Sequence, residues 1–279
     1  MTSETTFGSR LREAMDTRGP LCAGIDPHPA LLDGWGMTDS AVGLERFSIA
    51  AVEAFAGAVA AVKPQSAFYE RHGAAGVAVL EKVVQHARGL GLIVVLDVKR
   101  GDIGSTAQAY ADAYLDRTSP LAVDAVTASP YLGFGSLTPM IETALANDAG
   151  VFVLALTSNP EGPEVQHARS GDGRTVAGVV LDSIASLNAG QEPMGSIGAV
   201  VGATIGETTE NLRVNGPLLV PGLGAQGGTV EDVRRIFGDA SGNVLASTSR
   251  GLLAVGPDRA ALRAAALDTA ADLARLGRP

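Results

Sequence analysis

Eight short apolar runs recur along the chain, at residues 21–25, 58–62, 93–96, 124–127, 151–156, 197–201, 218–220 and 244–247. Between them lie stretches of helical periodicity at 43–57, 74–88, 106–117, 137–146 and 175–187, another opening near Thr229, and a last one at 259–276; a short amphipathic segment at 7–15 precedes the first run. Strands alternating with helices predict a parallel sheet, because parallel neighbours must be joined by a crossover. Eight such units in 279 residues favour an α/β chain closed into a (β/α)8 TIM barrel over an open, doubly wound sheet. With 46% hydrophobic residues, the chain can bury a sizeable core. Neither a low-complexity linker nor a short repeat divides it, so a single domain over 1–279 is expected.

A barrel gathers the C-terminal ends of its strands on one face. The first run ends at Asp26-Pro27-His28-Pro29, the second at Lys63-Pro64-Gln65, the fifth at Thr157-Ser158-Asn159-Pro160, the seventh at Pro221 and the eighth at Ser249-Arg250-Gly251. The third run breaks into Asp97-Val98-Lys99-Arg100-Gly101-Asp102-Ile103. Strand side chains alternate faces, so Asp97 and Lys99 should share one wall, with Asp102 a short loop away. Scattered surface residues have no reason to fall at the same end of successive strands. Asp26, Lys63, Asp97, Lys99, Ser158, Pro221 and Arg250 are therefore read as one site.

The loop 221–228, Pro221-Gly222-Leu223-Gly224-Ala225-Gln226-Gly227-Gly228, reads as a phosphate site. Glycines let backbone N–H groups approach an anion, Gln226 adds donors, the helix after it adds its positive dipole end, and Arg250 offers a planar fork. Loops after strands seven and eight are a recurring phosphate site in barrels, so the expected substrate is a phosphorylated small molecule. The same glycines match the dinucleotide spacing, but late in the chain and without an acid-bearing second strand.

A net charge of −9 speaks against general affinity for nucleic acid or anionic membranes. No apolar stretch reaches the roughly 18 residues of a membrane span and no leader is evident, so a cytoplasmic protein is expected. Cys22, the lone cysteine, sits in an apolar run and reads as a buried thiol. The four histidines, His28, His72, His86 and His167, show no metal-ligand spacing. Lysine occurs only at 63, 82 and 99; Lys82, within a helix, reads as a solvated surface residue. The polar loop 161–173 is a candidate flap, with a surface insertion as the alternative.

The Asp97-to-Ile103 segment has the D-x-K-x-x-D-I pattern of the orotidine 5'-phosphate decarboxylases. Ala61-Val62-Lys63-Pro64-Gln65, Pro221-Gly222-Leu223-Gly224-Ala225-Gln226 and Ser249-Arg250-Gly251 resemble that family's other signature segments, in order. Asp26-Pro27-His28-Pro29 and Ala128-Ser129-Pro130-Tyr131-Leu132-Gly133 resemble its longer bacterial subgroup, type 2. The resemblance runs from Leu21 to about Leu253. It implies decarboxylation of orotidine 5'-phosphate to uridine 5'-phosphate, the last step of de novo pyrimidine synthesis, with no metal and no cofactor.

By the same resemblance, Lys63, Asp97, Lys99 and Asp102 form a catalytic Lys-Asp-Lys-Asp array, with Lys99 stabilising and protonating a carbanion. Asp102 reaches the partner subunit's site in a homodimer. Asp26 and Thr106 match ribose contacts and Ser158 a pyrimidine contact; Gln226 and Arg250 match the phosphate clamp, assisted by the Ser249 backbone. Two other readings stay open. One is a metal-dependent sugar-phosphate decarboxylase or aldolase of the same superfamily, which would carry an acidic ligand near Lys63. The other is a non-catalytic phosphometabolite-binding barrel.

Overall fold

The structure, a computed structural model, describes residues 5–223 and 227–276. Eight strands, β1 (Leu21–Ile25), β2 (Ala61–Pro64), β3 (Ile93–Arg100), β4 (Ala125–Ala128), β5 (Gly150–Leu156), β6 (Ile197–Val201), β7 (Leu218–Pro221) and β8 (Val244–Thr248), pair in parallel in sequence order. The ring closes where Leu21 of β1 pairs with Ala246 of β8. The expected (β/α)8 barrel is thus the observed one. Every strand is short and nearly all of its residues are buried, as expected for a parallel sheet covered on both faces.

Helices alternate with the strands: α1 (Phe7–Arg18), α2 (Pro29–Gly34), α3 (Ala41–Phe55), α4 (Ser66–Glu70), α5 (Gly73–Gly89), α6 (Gly104–Leu115), α7 (Thr138–Ala146), α8 (Gly162–Gln166), α9 (Val176–Leu187), α10 (Val230–Phe237), α11 (Arg250–Leu253) and α12 (Arg259–Leu273). Ser40, Thr175 and Asp258 cap α3, α9 and α12 by accepting from the first turn, the role these side chains fill best. The short α2, α4 and α11 sit directly after strand ends and were not apparent from periodicity.

The strand period of two separates two cores. Val94, Leu96 and Val98 of β3 face outward into the helix layer, together with Val126 of β4 and Val62 of β2. Ile93 and Val95 face inward, with Cys22, Ala61, Ala125, Phe152, Leu219 and Leu245. α1 closes the N-terminal end of this inner core: Phe7 meets the Phe152 ring edge-on at 6.0 Å, with Leu11 and Met15 beside it. With α1 across its floor, the barrel interior opens toward the C-terminal mouth.

Two expectations shift. β2 lies three residues later than expected at its start, so Lys63 stands inside the ladder rather than beyond it. The segment 161–173 is not unstructured throughout, since it holds α8, and Arg169 bridges Thr175 across its far end. The sixth unit, where the sequence shows no helical stretch, has none: residues 202–217 return to β7 as an irregular connection. Asn188, buried at the end of α9, ties β6 and this connection together, donating to Ile197 O at 2.7 Å and Val214 O at 2.9 Å.

Candidate active site

Continuing each strand's inward parity by two residues places the polar side chains at the mouth. Above Cys22, Ala61, Val95 and Ala125 come Lys63, Asp97 and Thr127, with Asp26 beyond the end of β1, around a cavity of about 490 Å³. Asp97 is the centre of this group. Its Oδ2 accepts from Lys63 Nζ at 2.8 Å, and its Oδ1 accepts from Lys99 Nζ at 2.5 Å and from Thr127 Oγ1 at 2.8 Å.

Two ammoniums on one buried carboxylate determine the protonation states. Burial alone would raise the Asp97 carboxyl, but Lys63 and Lys99 outweigh it and hold the group at about 2. Burial likewise disfavours the Lys63 ammonium, yet the carboxylates of Asp97 and Asp26 overcome that and push it above the usual lysine range. Beneath them, burial pushes the Cys22 thiol up to about 12, so it stays neutral. The expected structural thiol is what the fold contains.

The two lysines differ in reach. The Lys63 side chain is 8% exposed and that of Lys99 46%, so Lys99 carries the ammonium that a ligand in the cavity can meet. Lys99 also has φ +44°, a left-handed conformation that costs a non-glycine residue on the order of 1 kcal/mol or more and needs its surroundings to hold it.

Across the mouth, Pro221, Gly222, Leu223, Ser249 and Arg250 line the same cavity. A Cβ on Gly24 would come within 2.6 Å of Ser249 Cβ, so only glycine lets the β8 end sit this close to β1. Arg250 makes no ion pair among the described residues. Gln226 lies outside the described residues. At the start of α10 the Thr229 and Asp232 amides are taken by a capping box, and Glu231 and Asp232 occupy the first turn.

Ser158 lines the cavity at the β5 end. The neighbouring Thr157 is clamped by Gln166 of α8, whose Oε1 accepts from Thr157 N at 2.9 Å while its Nε2 donates to Thr157 Oγ1 at 2.6 Å. Asp102 and Thr106 do not join the cavity of a single chain. Asp102 Oδ1 accepts from Ile103 N at 2.8 Å, and Thr106 is exposed on α6. Lys82 is exposed and pairs with Glu45. Sequence reasoning missed Thr127, Gln65, His28 and Phe68, all of which line the cavity. Thr127 was findable, as the one polar side chain in β4, at the inward parity of Ala125. Among the described residues no group of three or more His, Cys, Asp or Glu side chains converges as metal ligands would.

Fold and site define a class: a (β/α)8-barrel enzyme with a lysine–carboxylate cluster at its C-terminal mouth. Residues 19–265 match the family described as Orotidine 5'-phosphate decarboxylase / HUMPS family, and the chain belongs to that family. It is 62% identical to the orotidine 5'-phosphate decarboxylase of Salinispora arenicola over 96% of both chains. It is 60% identical to that of Streptomyces coelicolor over 93% of this chain and 94% of the other. A crystal structure from Streptomyces avermitilis, described as an orotidine 5'-phosphate decarboxylase, superposes with TM-score 0.96 at 57% identity, covering 98% of this chain and 96% of that one.

Proposed function

We propose that the chain decarboxylates orotidine 5'-phosphate to uridine 5'-phosphate and CO2 in pyrimidine biosynthesis, using Lys63, Asp97, Lys99 and Asp102. The observation that carries this reading is the Asp97 carboxylate held between a buried and an accessible ammonium, facing a cavity with Arg250 on its far rim. With the 5'-phosphate on Arg250, Gln226 and the Pro221 and Ser249 backbone, the pyrimidine ring extends toward Lys99. Ser158 meets the base, and Asp26 and Thr106 meet the ribose.

When the C6–carboxyl bond breaks, its electron pair stays on C6 and CO2 departs. The Lys99 ammonium stands beside that charge and then donates its proton to C6, to be reprotonated from water. Because Lys63 and Asp97 are fixed before substrate arrives, little reorganisation is needed as charge develops. Asp97 beside the substrate carboxylate adds a repulsion that leaves with CO2.

Asp102 completes the array from a second copy of the chain. Ile103, beside it, is 63% exposed, and Tyr131 and Leu132 in the adjoining loop are also exposed; that loop meets the β3 end where Ser129 N donates to Arg100 O at 2.8 Å. Exposed apolar residues flanking a carboxylate suit an isologous dimer contact. No described helix is long and apolar enough to cross a membrane, and none of the proposed steps requires a cofactor.

Purified protein mixed with orotidine 5'-phosphate should consume its ultraviolet absorbance, with chelator present as well as without. Absence of turnover would overturn the reading, and turnover lost to chelator would favour a metal-dependent relative of the same superfamily.

A further inference from the structure

The ladder between β3 and β4 breaks at the reaction centre. Val95 pairs with Ala125 and Leu96 with Val126, and pairing resumes only at Arg100 with Ala128. Asp97, Val98 and Lys99 therefore stand opposite Thr127 alone, a bulge that turns the β3 end into the mouth. Within the bulge the Lys99 backbone adopts its positive φ. Its N–H donates at 2.9 Å to Thr127 Oγ1 in place of a ladder carbonyl, and the same hydroxyl donates its own proton to Asp97 Oδ1 at 2.8 Å.

The Lys99 ammonium returns to that same Oδ1 at 2.5 Å. One hydroxyl thus closes a ring through the Lys99 backbone, the Asp97 carboxylate and the Lys99 side chain. Thr127 is 1% exposed, and its branched Cβ limits the rotamers that could break the ring. A hydroxyl can accept and donate at once, which valine of similar shape cannot.

We infer that Thr127 is a positioning residue: its hydroxyl holds Lys99 in the left-handed backbone conformation and so sets where the Lys99 ammonium stands against the substrate. The catalytic consequence rests on the decarboxylase reading, whereas the hold on Lys99 does not. Without the hydroxyl, the Lys99 backbone is free to relax and carry its ammonium off target. Nucleotide binding, centred on Arg250 across the mouth, is left in place.

The test compares Thr127→Val, Thr127→Ala and Thr127→Ser. Losing a hydrogen bond to a charged group should lower kcat about 10- to 100-fold in the Val and Ala variants, with KM within about threefold of the parent. The Ser variant, which restores only the hydroxyl relative to Ala, should recover most of kcat. Should Thr127→Val not fold, the Ala and Ser pair still isolates the hydroxyl. Because the chain has three lysines, 15N-lysine labelling gives few amide signals. The Lys99 amide should exchange with solvent at least about tenfold faster in the Val and Ala variants and stay protected in the Ser variant. Unchanged kcat, or a Ser variant as impaired as Ala, would overturn the inference. A parent protein that turns over no orotidine 5'-phosphate would sink the decarboxylase reading instead, and the Lys99 exchange rate would then decide the hold on Lys99 by itself.

Discussion

On the β2–β4 side of the barrel mouth each ammonium already has its carboxylate, and the carboxylate accepts from three donors. On the opposite side Arg250 has no ion pair among the described residues, and the buried Ser249 Oγ has no hydrogen-bond partner among them. An unsatisfied buried polar atom costs roughly 1–3 kcal/mol. A polar ligand at the proposed site would supply such a partner. The groups proposed to react are thus organised before substrate binds, and those proposed to bind are completed by it.

If this contrast is right, the largest effect comes from the preformed side. Lys99→Ala should reduce turnover by at least about 10,000-fold, since it removes both the fixed charge and the proton donor. Binding of uridine 5'-phosphate, measured by calorimetry, should survive. Retained turnover would take Lys99 out of its role and the contrast with it. Arg250→Ala comes next. Its kcat/KM should fall by about 100- to 1,000-fold, because phosphate binding energy supports the chemical step from a distance. Its stability in urea should stay within about 0.5 kcal/mol of the parent, as expected where no existing contact is lost. A variant with unchanged kinetics would remove the anion clamp from this side.

The preformed side was also the more legible one in the sequence. Strand parity alone puts Asp97 and Lys99 on one wall, and the β/α alternation brings Lys63 and Asp26 to them. Parity could have placed Thr127 in the site, but its hold on Lys99 depends on a bulge that no periodicity reveals. Residues 202–217, where no helical stretch was read, pack Ala203, Leu212 and Val214 into the core and are tied to the end of α9 by Asn188 and Asn215. Asp102 and Thr106 were legible by family pattern only. One chain leaves them outside the cavity, and the proposed second copy is not specified by local sequence.

That second copy offers the next test. Chains carrying Lys99→Ala and Asp102→Ala, co-expressed with different tags and purified as the hybrid, should form dimers in which one site has both residues intact. Such hybrids should regain about half the parent's turnover if the contact is isologous. A hybrid no more active than either parent variant would confine the array to one chain.

The smallest effect, and the one that separates the two sides most cleanly, is acid stability. Asp97 has a folded value of about 2, below its ordinary value of 3.8. A depressed carboxylate adds stability that is complete above the ordinary value and is lost as pH falls through the folded one, so this contribution should fade between about pH 4 and pH 2. Its size is on the order of 2 kcal/mol. Glu70 beside Arg100 and Asp39 beside Arg71 are also lowered and add to the same limb, so the test must be differential. Lys99→Ala removes one of the two cations that depress Asp97, and its stability should fall less steeply than the parent's over this range in urea titrations at fixed pH. Arg250→Ala touches no shifted carboxylate and should track the parent throughout. Parallel curves for all three proteins would mean that Lys99 does not act on Asp97 in solution, and the preformed side would lose its distinguishing property.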